Sequence, residues 1–165
     1  MSRKLKSVET SADAIIKVDP VKSKNVNEYD SSKIFLPTGI FSNRKLSFLE
    51  SIVKYLKENL GYNYHEIAVL MNRDERNIWT IYDRTKKKRF TAEISPKQYS
   101  IGIPLSVVQD RSLSILEVVV VYMKDGLQLP NITIAKLLDR SDKTIWTCYN
   151  RAKAKLKSNN MRGAS

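Results

Sequence analysis

Apolar residues recur at helical spacing through most of the chain. From Ser112 to Lys124, Leu113, Leu116, Val119, Val120 and Met123 share one face, which predicts a helix there. Gly126 stands where a C′ glycine would stop it. Pro130 suits the first turn of a short second helix ending near Leu138, with Ile134, Leu137 and Leu138 as its apolar face. Asp139-Arg140 predicts a tight turn. Ser141 is a good N-cap for a third helix running through about Lys157. The same plan fits residues further upstream. A first helix is expected over about Leu46 to Asn59, and Asn63 and Glu66 have capping-box spacing for a second that ends near Met71. Asp74 then caps a third. No segment has strand periodicity, so the pattern predicts an all-α chain.

The similarity of those two plans is a repeat. Shifting the sequence by 67 aligns residues 34–89 with 101–156 without a gap and gives 22 identities in 56 positions. Ile78-Trp79-Thr80 pairs with Ile145-Trp146-Thr147, followed by Tyr82/Tyr149, Arg84/Arg151, Lys86/Lys153 and Lys88/Lys155. Two copies are too few for a solenoid. The expected organisation is therefore a flexible polar arm (1–33), a first three-helix module (34–89), a linker (90–100), a second module (101–158) and a tail (159–165). Modules of about 55 residues are near the lower size limit for independent stability, so the two are expected to pack together.

Composition changes the picture mainly through charge. Seventeen acids against 29 Lys and Arg give a net charge of +12, which points to a polyanionic partner, either nucleic acid or an anionic membrane. No stretch approaches the ~18 apolar residues of a membrane span, and the basic N-terminus lacks the apolar core of a secretory signal. One cysteine, Cys148, and one histidine, His65, cannot build a structural zinc site. Neither a Gly-rich phosphate loop nor a nucleophile–base set is present. The sequence therefore predicts no enzyme, no metal, no cofactor and no membrane contact.

At 100° per residue, the third helix of the second copy turns Ile145, Cys148, Tyr149, Ala152 and Leu156 inward, and Lys143, Thr147, Asn150 and Ala154 outward. In the first copy Ile78, Ile81, Tyr82 and Thr85 face in, and Arg76, Thr80, Asp83 and Lys87 face out. A short helix, a tight turn and a longer helix braced by a preceding one is the helix-turn-helix plan. The N-terminal half of such a helix meets base edges in the major groove, so the candidate base-reading residues are Arg76, Thr80, Asp83, Lys143, Thr147 and Asn150. Arg84, Lys86, Lys87, Lys88, Arg89, Arg151, Lys153, Lys155 and Lys157 are candidates for the DNA backbone. Trp79 and Trp146 flank the outer rows. Large aromatics usually bury most of their surface, so packing is expected, with contact to a thymine methyl or sugar as the alternative. Tyr82 and Tyr149 are expected in the core with a polar tip, Cys148 as a small core residue, and His65 at the surface. Glu50 and Glu117 hold the same place in both first helices. Each is expected to pair with Arg44 or Arg111, or with a base on the third helix.

The stretch NITIAKLLDRSDKTIWTCYNRAKAKLK resembles region 4 of sigma-70-type factors and related helix-turn-helix regulators. The resemblance lies in Ile134-Ala135, Ser141, Thr144-Ile145 and Arg151-Ala152 with Lys155-Leu156. It is weaker in Ile67-Ala68, Asp74, Asn77-Ile78 and Arg84-Thr85. It implies sequence-specific binding of double-stranded DNA by a tandem transcription regulator. Nothing resembles sigma region 2, the polymerase-docking and promoter-melting module. Two other classes stay open: an adaptor docking on RNA polymerase, basal transcription machinery or another protein, and an RNA-binding protein. A cytoplasmic, nucleoid-associated protein is expected, acting as a monomer with internal pseudo-symmetry or as a homodimer.

Overall fold

A computed structural model of the chain describes residues 30–88 and 101–162. Most of the expected arm, the linker, Arg89 and residues 163–165 lie outside the described residues. Each copy opens with a three-residue strand, β1 (Phe35–Pro37) and β2 (Gly102–Pro104), running into a 3₁₀ turn at Thr38–Ser42 and Leu105–Gln109. A first helix follows, α1 (Phe48–Lys54) and α4 (Ile115–Val121), each ending in a π-helical turn at Tyr55–Asn59 and Tyr122–Gly126. Then come a short second helix, α2 (Tyr64–Leu70) and α5 (Asn131–Leu138), and a longer third, α3 (Glu75–Lys87) and α6 (Asp142–Arg162). The described chain is mostly helical.

Local chemistry explains the boundaries. The first helices start two or three residues later than expected, because Ser47 and Ser114 cap them. Each hydroxyl accepts from the backbone of Glu50 or Glu117, whose carboxylate returns the bond to the cap N–H. Asn63 and Glu66 form the expected box on α2. Asp74 caps α3 as expected, and Ser141 Oγ accepts from Thr144 N–H at 3.2 Å at the start of α6. Pro130 is itself the cap residue of α5, one place earlier than expected. Gly126 does not end α4 in a left-handed turn. It sits inside the π turn, where a Cβ would lie 3.3 Å from the Tyr122 ring. The left-handed residue comes two positions later, at Gln128 (φ 55°), matched in the first copy by Gly61 (φ 73°). A second matched pair, Asn72 (φ 49°) and Asp139 (φ 52°), turns the chain into α3 and α6. The third helix of the second copy runs on to Arg162, beyond the expected end at Lys157.

The strands were not foreseen. Leu36 and Ile103 each precede a proline, which biases them to extended backbone. They face each other in an antiparallel pair, with Phe35 opposite Pro104 and Pro37 opposite Gly102. Both are fully buried, each stabilising the fold by about 1.5–3 kcal/mol. One apolar cluster runs through both copies, with Ile52, Leu56, Ile67 and Ile78 from the first and Leu105, Met123, Ile134 and Ile145 from the second. The Thr38–Ser42 turn packs on α5, and the Leu105–Gln109 turn packs on α2. Gln109 Nε2 donates to Leu70 O at 2.8 Å, and Arg44 Nη2 donates to Asp139 O at 3.0 Å. The copies thus share a core, and each opening turn packs both on its own first helix and on the second helix of the other copy.

Candidate nucleic-acid interface

Helices α3 and α6 orient their side chains as the helical pattern predicts. Ile78, Ile81, Tyr82 and Thr85 are buried on α3, and Ile145 and Ala152 on α6, with Cys148, Tyr149 and Leu156 half-buried beside them. Burial raises the Cys148 thiol above its ordinary value. The outer rows face solvent. Arg76, Lys87, Lys143, Asn150 and Ala154 are exposed, and Thr80, Asp83 and Thr147 are partly covered. The two threonine hydroxyls are spent on their own helices, donating to Arg76 O and Lys143 O at 2.8 Å. Asp83 pairs with Lys87 at 2.6 Å. The Asn150 side chain has no hydrogen-bond partner among the described residues.

Trp79 and Trp146 are 53% and 59% exposed, against the expectation that they pack. Their positions on the helical wheel prevail over the general tendency of large aromatics to be buried. Because they are repeat counterparts, both copies present an indole beside the outer row.

The basic residues divide by partner. Lys88 Nζ lies 2.7 and 2.9 Å from the two Glu50 carboxylate oxygens, and Lys155 Nζ lies 2.8 and 2.9 Å from those of Glu117. Of the two expected pairings this is the one with the third helix, Lys155 standing on α6 and Lys88 capping the end of α3; Arg44 goes to Asp139 instead. Burial works to raise the Glu50 and Glu117 carboxyls, but bonds from the lysine and the capping serine together hold both below their ordinary value. Lys153 pairs with Asp125 at 2.8 Å and lies over the Tyr149 ring, whose hydroxyl donates to the same carboxylate at 2.8 Å. Lys86 lies over the Tyr82 ring, and Tyr82 donates to Glu58 at 3.1 Å. Burial first, and the Glu58 charge second, push the Tyr82 hydroxyl up to about 12. Arg76, Arg84, Lys143, Arg151 and Lys157 have no ion-pair partner among the described residues. These five cations can meet an external anion without breaking an ion pair among the described residues.

His65 is exposed and meets Glu75 at 3.2 Å. Among the described residues no group of His, Cys, Asp and Glu could hold a metal, and no helix is long and apolar enough to cross a membrane. No protein-family model matches this chain, and neither a curated protein nor a solved structure does.

Proposed function

We propose that the chain is a sequence-specific regulator of transcription that binds double-stranded DNA, with α2–α3 and α5–α6 as two helix-turn-helix units and α3 and α6 as its reading helices. One observation carries the proposal. In both copies the third helix bears cations with no ion-pair partner among the described residues at the same two places, Arg76 and Lys143 in its first turn and Arg84 and Arg151 eight residues further on. A helix ~10–12 Å across fits a major groove ~12 Å wide. First-turn cations then reach guanine O6 and N7, Asn150 suits adenine, and Arg84, Arg151 and Lys157 face phosphates. The net charge of +12 favours the encounter. The proposal carries a cytoplasmic, nucleoid-associated location with it.

The exposed Trp79 and Trp146 favour a second reading, in which the units dock on RNA polymerase or another protein. One titration separates the two. Anisotropy of a labelled mixed-sequence duplex with the full chain should show log K falling with log salt at a slope near −4 to −7, for ~4–8 phosphates contacted. A flat response, or tighter binding to single-stranded RNA than to duplex, overturns the DNA-binding proposal.

A further inference from the structure

Repeat counterparts meet each other where the copies join. Leu36 faces Ile103, its own counterpart, and the flanking pairs Phe35 with Pro104 and Pro37 with Gly102 exchange into one another under the same shift of 67. The backbone bonds obey the exchange too. Thr38 N–H donates to Ile101 O at 3.0 Å, and the counterpart Leu105 N–H donates to Ile34 O at 2.8 Å. An antiparallel pair in which a residue faces its own counterpart has a two-fold axis between the strands. The reciprocal packing of the Thr38–Ser42 turn on α5 and the Leu105–Gln109 turn on α2 follows the same axis, and α1 touches α4, its own counterpart. The arrangement is that of an isologous dimer joined into one chain.

From this axis, and resting on the proposed DNA-binding function, we infer that α3 and α6 read two halves of one duplex site in inverted orientation and at a single spacing. A B-form duplex has two-fold axes perpendicular to its length. A two-fold pair of reading helices aligns its axis with one of them, so its half-sites lie on opposite strands. Units strung independently along a chain would instead accept direct repeats and variable gaps. Here the shared core removes that freedom, since changing the spacing means separating Leu36 from Ile103 in a fully buried contact. The site is a palindrome in geometry and not in content. The outer rows pair Arg76 with Lys143, Thr80 with Thr147, Asp83 with Asn150 and Lys87 with Ala154, so they agree at one position of four.

Three surface substitutions make the rows identical: Arg76→Lys, Asp83→Asn and Lys87→Ala. None of the three positions is buried. Duplexes are selected from a random library by the full chain and by this triple variant. The expected result is that the full chain enriches two unequal halves in inverted orientation at one spacing, and that the variant enriches a site closer to a perfect palindrome. A second measurement uses only the full chain. Inserting 5 bp between the selected halves, or scrambling one half, should lower affinity about 100-fold or more, because the second contact is lost as an intramolecular event. Enrichment of direct repeats, of a lone half or of halves at many spacings overturns the inverted arrangement while leaving DNA binding intact. Absence of any duplex binding overturns the proposed function and this inference with it.

Discussion

Replacing Lys155 by Ala should destabilise the fold, although the residue stands in a basic row that looks built for phosphates. Its ammonium bridges both oxygens of Glu117, whose side chain is only 7% exposed. Removal leaves that carboxylate with the Ser114 cap and no counter-charge. A hydrogen bond to a charged group contributes about 1.5–3 kcal/mol. Because the Lys155 side chain is itself 50% exposed, water replaces part of it, and about 1–2 kcal/mol remains. Alanine's better helix propensity narrows this by a few tenths. For a chain of this size the loss corresponds to ~2–8 °C in Tm. Lys157→Ala, two residues on and without an ion-pair partner among the described residues, should melt within ~0.5 kcal/mol of the parent. The assay is circular dichroism melting at pH 7 and again in acid. Glu117 is held below its ordinary 4.5, so the pair adds stability above that pH and loses it as pH falls through the folded value. The gap between parent and Lys155→Ala should therefore close in acid. Equal melting of the two variants at pH 7, with equal losses of DNA affinity, would show that Lys155 is a phosphate ligand and that the strap to Glu117 is incidental.

Ile145→Asp puts an unpaired charge into a fully buried position and should abolish the whole melting transition, because the core is common to both copies; a variant keeping half the helical signal would refute the shared core. Alanine at Arg84, Arg151 or Lys157 should each lower duplex affinity alike for all sequences and reduce the salt slope by about one unit, with unchanged Tm; a sequence-dependent loss would place that residue at base edges. Asn150→Ala and Arg76→Ala should each relax one base in a repeated site selection, a change of roughly 1–3 kcal/mol in discrimination. If only Asn150→Ala does so, the second copy alone reads DNA.

The helices were legible because each third helix carries a full apolar stripe, from Ile78 to Thr85 and from Ile145 to Leu156. Chain reversals were legible where the residue type announces them, as at Asn63, Asp74 and Ser141. The Gly126 expectation failed because the first helix widens at its exit into a π turn, which moves the left-handed residue to Gln128, a type that gives no such signal. Strands of three residues are too short for a period of two to register, so the Leu36–Ile103 contact was visible only in three dimensions. The charge of the basic rows could be counted from sequence, but not how it is committed. Glu50 and Lys88 lie 38 residues apart, and the same separation joins Glu117 to Lys155. The wheel placed both tryptophans on an outer flank, and a burial tendency drawn from proteins at large moved them inward wrongly.

Opening segments that pack on both copies limit how the chain can be divided. Cutting between Lys88 and Ile101 yields pieces that each carry one strand and one 3₁₀ turn, and that turn packs on a helix of the other piece. Such pieces are expected to behave like a split reporter, weakly ordered apart and complementing one another when mixed. Joining the two copies in one chain also makes their pairing intramolecular, so the shared core closes independently of protein concentration, whereas separate pieces assemble only as mass action allows.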